Sequence, residues 1–210
     1  MTIAFDSTRR RRRQPDEVRT EAIAAARQLL VAGGPDAVTL QSVAAALNMA
    51  HGNIAHHFGS AANLQAALAD TLIADMLTAV REGTNRLRAG VITEGDLVDL
   101  VFDRFESQGI GRLIGWLAAQ GNDQLETMYE RLGKVPAELS ETTAAGSLLT
   151  PEALPKVIAI IVMAGLSASL IGRGMLSALD LPANFSRERA TEYLICWRHS
   201  DGTADHPIES

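Results

Sequence analysis

Apolar residues recur every three or four positions along most of the chain, which is the spacing of one face of an α-helix. The first such segment begins at Pro15, a residue well suited to a helix start, and stops at Gly33-Gly34-Pro35. Runs of β-branched residues that alternate with polar ones, as in a half-buried strand, are hard to find. The pattern therefore predicts an all-α fold.

Two short helices and a long one are predicted to follow. Thr39 is a suitable N-cap for the second helix, which ends near Asn48 because this residue tolerates a left-handed turn conformation. A third helix is predicted over 51–58, and Ser60 caps a fourth over about 61–82. One stripe of the fourth helix is apolar and consists of Leu64, Leu68, Leu72 and Met76.

Turn signals divide the rest of the chain into further helices. These are predicted over about 94–107, 110–120, 123–133, 152–178 and 184–199. Pro136 is among the residues that separate them, and 140–150 is predicted to be a loop. Residues 1–14 show no periodicity and are predicted to form a disordered arm, and 200–210 a flexible tail.

The composition is that of a soluble globular protein, since 47% of the 210 residues are apolar. The single cysteine, Cys196, fits a reducing cytoplasm, and its simplest role is that of a small apolar residue on a packed helix. The amino terminus shows no signal peptide. The longest run without a charged residue or a histidine, 157–172, has 16 residues, whereas a spanning helix needs roughly 20. We therefore expect a cytoplasmic protein without a membrane helix.

Charge is distributed unevenly along the chain. The net charge is −6, but residues 1–67 hold seven arginines against five acidic residues. Five of these arginines are consecutive, at 9–13, and the rest of the chain holds 12 basic against 20 acidic residues. We expect the amino-terminal third to face a different partner from the rest.

Three of the five histidines lie in NMAHGNIAHHFGS, residues 48–60. On a helical wheel of about 100° per residue, Ile54 and Phe58 define the buried face and His56 lies opposite to it. A helical metal site needs histidines at i and i+4, whereas the spacings here are five, six and one. No nearby Ser, Asp or Glu shares a face with a histidine for catalysis. The pattern therefore disfavours both a metal site and a catalytic site.

The exposed face of this third helix presents a glycine, an amide and an imidazole, at Gly52, Asn53 and His56. Together with the threonine-capped helix and the turn before it, this is the pattern of a helix-turn-helix, whose second helix lies in the DNA major groove. An asparagine can pair with adenine, and a histidine can donate to a base or a phosphate. His57 lies at the border of the buried face, either as a phosphate contact or as a half-buried support.

The sequence TLQSVAAALNMAHGNIAHHFGSAANLQAAL, from Thr39 to Leu68, resembles the DNA-binding signature of the tetracycline-repressor-like (TetR) regulators. The positions that carry the resemblance are Thr39, Val43, Ala44, Asn48, Gly52, His56, His57, Phe58, Ser60 and Leu64. Two positions depart from the family pattern, because Ala55 stands where a tyrosine is common and Ala61 where a lysine is common. Both changes remove contacts to the DNA backbone.

We hypothesise that the arginine arm compensates by lying along or in the minor groove, as arms of other helix-turn-helix proteins do. The alternative is a solvated or localisation-like basic run. The predicted DNA-binding residues are Arg9, Arg10, Arg11, Arg12, Arg13, Thr39, His51, Gly52, Asn53, His56 and His57.

For the acidic two-thirds, the resemblance implies a helical domain that binds a small-molecule effector and dimerises through about 152–178 and 184–199. The alternative is that both segments complete a monomer core. The candidate pocket residues are Phe102, Phe105, Trp116, Met128, Tyr129 and Met163, although each alone is more often a core residue. Asp99, Asp103 and Glu106 share one helix face, either to attract a cationic ligand or as a solvated acidic surface.

The sequence as a whole predicts a dimeric, sequence-specific DNA-binding regulator that acts as a repressor and is released from its operator by a ligand. The DNA-binding domain is predicted over 15–67 and the effector domain over 68–199. No catalytic residue, metal or cofactor is expected. The two alternatives are an enzyme that uses the helical pocket and a non-specific nucleic-acid-binding protein.

Overall fold

The computed structural model describes residues 15–121, 124–141 and 149–199. Within these ranges the chain is helical and has no strand, which confirms the predicted all-α fold. The predicted arm at 1–14 and the tail at 200–210 lie outside the described residues. The helices are α1 (Pro15–Gly33), α2 (Leu40–Ala46), α3 (His51–Phe58), α4 (Ala61–Arg88), α5 (Glu94–Glu106), α6 (Ile110–Ala119), α7 (Gln124–Glu141), α8 (Ala153–Ser167), α9 (Arg173–Ala178) and α10 (Phe185–His199).

The short helices begin and end at the residues that the sequence predicts. The Thr39 hydroxyl oxygen accepts a hydrogen bond from the Ser42 backbone N–H at 3.0 Å and so caps α2. The Ser60 hydroxyl accepts from the Asn63 backbone N–H at 3.1 Å and caps α4. Asn48 has a φ of 52°, the left-handed conformation expected at the turn between α2 and α3.

Helix α4 is longer than predicted, because it continues through Gly83 to Arg88. The glycine is required by packing against α5. A Cβ atom at Gly83 would lie 2.8 Å from Leu97 Cδ1 and 3.6 Å from Leu100 Cδ1. The missing side chain therefore lets α5 approach α4, and Gly83 does not end the helix.

Two apolar cores hold the helices together, and α4 contributes to both. The first core joins Leu30 of α1 and Ile54 of α3 to Leu68 of α4, and it extends to Phe105 of α5 and Leu113 of α6. The amino-terminal helices thus share one core with α5 and α6. The division into domains at residues 67 and 68 remains a prediction.

The second core lies at the other end of α4. It is built by Val98 and Phe102 of α5, Val157 of α8 and Leu194 of α10, with Leu77 of α4 packed against it. Cys196, predicted to be packed on a helix, is instead exposed on α10. Its helix buries Ala190 and Leu194, and Cys196 lies off that face.

Helix α7 corrects the prediction that Pro136 separates two elements. The helix runs from Gln124 to Glu141 with the proline inside it. A proline in a helix loses one backbone hydrogen bond and strains the preceding turn. Burial of Val135 and Leu139 in the second core offsets this cost, and the Ser140 hydroxyl donates to the Pro136 carbonyl at 2.8 Å. The predicted loop therefore begins after Glu141, and residues 142–148 lie outside the described residues.

The segment predicted as one helix over 152–178 consists of α8, a π-helical turn (Ala168–Gly172) and α9. Taken together, Ala153–Ala178 is 26 residues long with a mean hydropathy of 2.1, so that by length and composition it is apolar enough to cross a membrane. Only 17% of its most apolar window is buried in the single chain. It is therefore not enclosed by neighbouring helices of the same chain.

The π turn lies directly against α6. A Cβ atom at Gly111 would lie 2.7 Å from Ser169 Cβ and 3.3 Å from the Phe105 carbonyl oxygen. Neither neighbour is the far end of a flexible side chain. The crossing therefore has no room for one additional methyl group.

Replacement of Gly111 by Ala is expected to lower the melting temperature, because overpacking costs roughly 1 to 3 kcal/mol. The matched control is Gly133→Ala in α7, where a Cβ would meet nothing within 4 Å. This control should gain about 0.5 to 1 kcal/mol from helix propensity. Thermal unfolding followed by circular dichroism measures both, and Ser169→Gly should partly rescue Gly111→Ala. Equal stability of the two alanine variants would contradict the close crossing.

Candidate nucleic-acid interface

Helix α3 presents one buried and one open face, as the helical wheel predicts. Ile54 is fully buried and Phe58 nearly so, in the first core. Gly52, Asn53 and His56 are all exposed. Ala50, which precedes the helix, has no side chain that could cap it. The backbone N–H groups of the first turn therefore receive no side-chain cap from this residue.

The surface above Gly52 is empty. A Cβ atom built on this residue would meet nothing within 4 Å. Packing within the chain therefore does not require a glycine at this position, although glycine is unfavourable within a helix. The absence of a side chain leaves the helix backbone accessible from outside, at the centre of its exposed face.

The three histidines of this segment differ in exposure. His51 is exposed at the start of α3 and His56 is exposed on its outer face, whereas His57 is half-buried. The rings of His56 and His57 have centroids 5.7 Å apart and are inclined by 70°. Among the residues that the structure describes, no three His, Cys, Asp or Glu side chains form a group that could hold a metal ion.

Thr39 has a structural role that is well defined. It is half-buried, its hydroxyl oxygen caps α2, and the same oxygen lies 2.8 Å from the Ser42 hydroxyl oxygen. It fixes the start of the helix that precedes α3. The five consecutive arginines of the predicted interface, Arg9 to Arg13, lie outside the described residues.

Arg19 is a basic residue near α3 that sequence reasoning missed. It is exposed, its Nη1 donates to the His57 carbonyl at 3.3 Å, and its guanidinium carbon lies 4.9 Å from the centroid of the Phe58 ring. The other arginine of α1, Arg27, pairs with Asp75 at 2.9 Å instead. The contact with α3 joins positions 38 residues apart. The spacing of polar residues in α1 indicates only that Arg19 is exposed and does not identify its partner. Arg19 places a positive charge at the carboxyl end of α3, where the helix dipole favours a cation.

A cavity of about 110 Å³ lies among α4, α5, α7, α8 and α10. The residues that line it are Met76, Leu77, Val80, Thr84, Leu87, Arg88, Leu97, Val98, Val101, Leu132, Val135, Leu139, Leu149, Leu154, Val157, Ile158, Ile161, Val162, Leu194 and Arg198. None of the six predicted pocket residues is among them. The structure therefore gives a different set of candidate ligand contacts.

The six predicted pocket residues are dispersed over the structure. Phe102 is buried in the second core and Phe105 in the first. Trp116 and Met128 are half-buried, while Tyr129 and Met163 are exposed. The structure does not bring these side chains together into one site.

One arginine of α10 contacts all three carboxylates on the acidic face of α5. Arg187 Nη1 contacts Asp99 at 2.9 Å, and Nη2 contacts both Asp103, at 2.8 Å, and Glu106. Burial opposes the charge, but the hydrogen bonds to the three carboxylates outweigh it and raise the pKa of Arg187 above its usual value. The guanidinium also lies 5.4 Å from the centroid of the Phe102 ring. These carboxylates are held in an interhelix network and do not line the cavity.

An apolar strip remains exposed on α8, the π turn, α9 and α10. We define it by its large hydrophobic side chains, Met163, Leu170, Ile171, Met175, Leu179 and Ile195. Clusters of exposed apolar side chains of this kind mark interaction surfaces.

Comparisons with known proteins agree with this arrangement of helices. Residues 22–68 match the sequence model of the bacterial regulatory proteins of the tetR family. No curated relative matches the chain. The fold is similar to that of the multidrug binding protein EbrR in complex with imidazole, with a TM-score of 0.55 and 18% identity over 84% of this chain and 94% of that one.

A second similar structure is a TetR-family transcriptional regulator, ECA1819 of Pectobacterium atrosepticum. Its TM-score is 0.57, with 16% identity over 87% of this chain and 92% of that one. At these identities the two structures show the shared fold. Residues 22–68, which include α2 and the exposed helix α3, are thus similar in sequence to the bacterial regulatory proteins of the tetR family.

Proposed function

We propose that this regulator is a homodimeric repressor that binds a two-fold operator and is released from it by a small molecule. The observation that carries the proposal is the division of exposed surfaces. One face of α3 is open for DNA, and the apolar strip on α8, the π turn, α9 and α10 is open for a second copy. The protein acts in the cytoplasm, is not an enzyme and needs no cofactor.

On the DNA side, α3 lies in the major groove. Gly52 allows the helix backbone to approach the bases, Asn53 reads a base edge, and His51 and His56 contact bases or phosphates. His57 supports the helix and lies near a phosphate. Arg19 and the arm at 9–13 neutralise phosphates on either side of the groove.

The apolar strip supports a dimer with two-fold symmetry. In such a dimer the same surface of each copy covers the other, and the two recognition helices face two half-sites. Lys156 and Arg173 are the charged residues within Ala153–Ala178, and neither belongs to the strip. Association would cover large apolar side chains that the single chain exposes to water.

The cavity is connected to the DNA-binding helices through α4. This helix contributes Met76, Leu77 and Val80 to the cavity wall, while Leu64 and Leu68 lie in the first core with α1 and α3. A ligand that changes the position of α4 changes the separation of the two recognition helices in the dimer. Ligand and operator then weaken each other's binding by the same factor.

Selection of bound fragments from the source genome tests this function. We expect a two-fold site that stays bound in excess competitor DNA. Binding that competitor removes entirely would show a non-specific nucleic-acid-binding protein instead.

The proposed dimer is tested by the substitution Ile171→Glu on the apolar strip. This change should give a monomer by light scattering and lose most operator affinity, because a charge cannot be buried there without a partner. Val91→Glu is the control, since Val91 is also exposed but lies in the turn after α4, away from the strip. A monomeric wild-type protein that binds the two-fold site at full affinity would contradict the proposed assembly.

Replacement of Gly52 by Leu should separate folding from DNA binding. The side chain meets open space in the free protein, so the melting temperature should stay the same or rise. In the major groove it would collide with DNA, and operator affinity should fall at least tenfold, as for the loss of about 1.4 kcal/mol. Gly133→Leu, at an equally open position of α7, should leave affinity unchanged. Full affinity of Gly52→Leu would exclude close approach of this face.

The salt dependence of operator binding tests the basic residues. Each lost phosphate contact should reduce the log-log slope by about 0.9. We expect that reduction for Arg19→Gln and a larger one on deletion of residues 9–13. Arg27→Gln is the control, since Arg27 pairs with Asp75. If deletion of 9–13 leaves the slope unchanged, the arm does not contact phosphates.

A further inference from the structure

The cavity wall has an unusual chemical composition. The described residues that line it include 17 aliphatic or methionine side chains, one threonine and two arginines. None of the described lining residues is aromatic and none is acidic. Recognition of a flat cation relies on aromatic faces and carboxylates, and this wall offers neither. The aliphatic part of the wall suits a flexible aliphatic chain.

The polar lining residues cluster at one end of the cavity. Thr84 and Arg88 are one turn apart near the end of α4, and Arg88 Nη2 donates to the Leu139 carbonyl of α7 at 3.3 Å. Arg198, near the end of α10, pairs with Glu94 at the start of α5. These contacts put both guanidinium groups where α4, α7 and α10 end and α5 begins. The remaining lining residues, which include Met76 and Val162, are apolar.

The polar end is suited to an acceptor group. The Thr84 hydroxyl donates its hydrogen to the Val80 carbonyl at 2.8 Å, so the donors that line this end are the N–H groups of the two arginines. Arg88 Nη1 also donates to Asn85 Oδ1 at 3.2 Å, and a bound carboxylate would share these guanidinium groups with their partners in the chain. Hydrogen bonds between a guanidinium and a carboxylate are charge-assisted and stronger than those to a neutral acceptor. Glu94 offsets the charge of Arg198, and an amine at this end would still face the guanidinium group of Arg88.

We propose that the effector of this regulator is an aliphatic carboxylate with an unbranched chain, bound with its carboxylate at Arg88 and Arg198 and its chain along the apolar wall. This inference rests on the proposed function, in which the cavity is the effector site. At about 110 Å³, the cavity is smaller than typical ligand pockets of roughly 300 to 1,000 Å³. A thin chain is the shape that displaces the fewest wall side chains on entry.

The acidic residues of α5 support the same choice. Asp99, Asp103 and Glu106 form the acidic helix face that, from the sequence, could attract a cationic ligand. They contact Arg187 and do not line the cavity.

The first experiment compares decanoate, decanol and decylamine by isothermal titration calorimetry on the full-length protein without DNA, below the concentrations at which they form micelles. We expect decanoate to bind most tightly, decanol more weakly and decylamine weakest, at one molecule per chain. Lengthening the carboxylate from six carbons should raise affinity by roughly fourfold per methylene until the cavity is filled. Tightest binding of decylamine, or of an aromatic cation such as ethidium, would overturn the proposal, as would no binding of any carboxylate in the series.

Two kinds of variant locate the binding site. Val157→Phe fills the cavity and should reduce decanoate affinity at least tenfold, whereas Val91→Phe on the exposed turn should not. If Val157→Phe fails to fold, Val135→Leu fills less of the cavity and should also reduce decanoate affinity. Decanoate binding that neither filling variant weakens, or that exceeds one molecule per chain, would be adventitious and would overturn the site.

The arginines are tested by a ratio that does not depend on general stability. Arg88→Gln and Arg198→Gln should each lower the decanoate affinity relative to the decanol affinity by about tenfold, as expected for one charge-assisted hydrogen bond. An unchanged ratio in both variants would overturn the assignment of the carboxylate end. Because ligand binding is measured without DNA, failure of the ligand inference leaves operator selection unaffected. A carboxylate that binds in the cavity but does not release operator would instead contradict the proposed function.

Discussion

The burial of α4 along its whole length is the constraint on which the rest of the structure depends. Leu64 and Leu68 pack in the first core beneath α3, and Leu77 and Val80 pack against the second core and line the cavity. One helix of 28 residues therefore has to satisfy two sets of neighbours. Because a packed interior resists changes of even one methylene group, a movement at one end of α4 cannot be absorbed locally.

Features that are decided within a few residues could be predicted from the sequence. The caps at Thr39 and Ser60 depend on a hydroxyl and a backbone N–H three residues later, and the left-handed Asn48 depends on its own side chain. The orientation of α3 followed from Ile54 and Phe58 alone, since helix geometry fixes the direction of every other side chain. All-α architecture followed in the same way from spacing.

Features that depend on distant partners could not be predicted. Gly83 resembles a helix breaker until Leu97 is placed against it, and the acidic face of α5 looks solvated until Arg187, more than 80 residues away, is brought to it. Pro136 is tolerated inside α7 because its neighbours Val135 and Leu139 are buried in the second core. The cavity is a gap between five helices and is lined mostly by common aliphatic residues. The large aromatic and methionine side chains predicted to form a pocket are core and surface residues instead.

The crossing of α6 and the π turn has a mechanical consequence. Because Gly111 and Ser169 leave no space between them, the π turn cannot approach α6 without pushing it. At the start of the same helix, a Cβ at Gly109 would lie 3.1 Å from Leu30 Cγ of α1. The apolar strip is therefore linked to α1 by close contacts through α6, on a route that does not pass through the cavity.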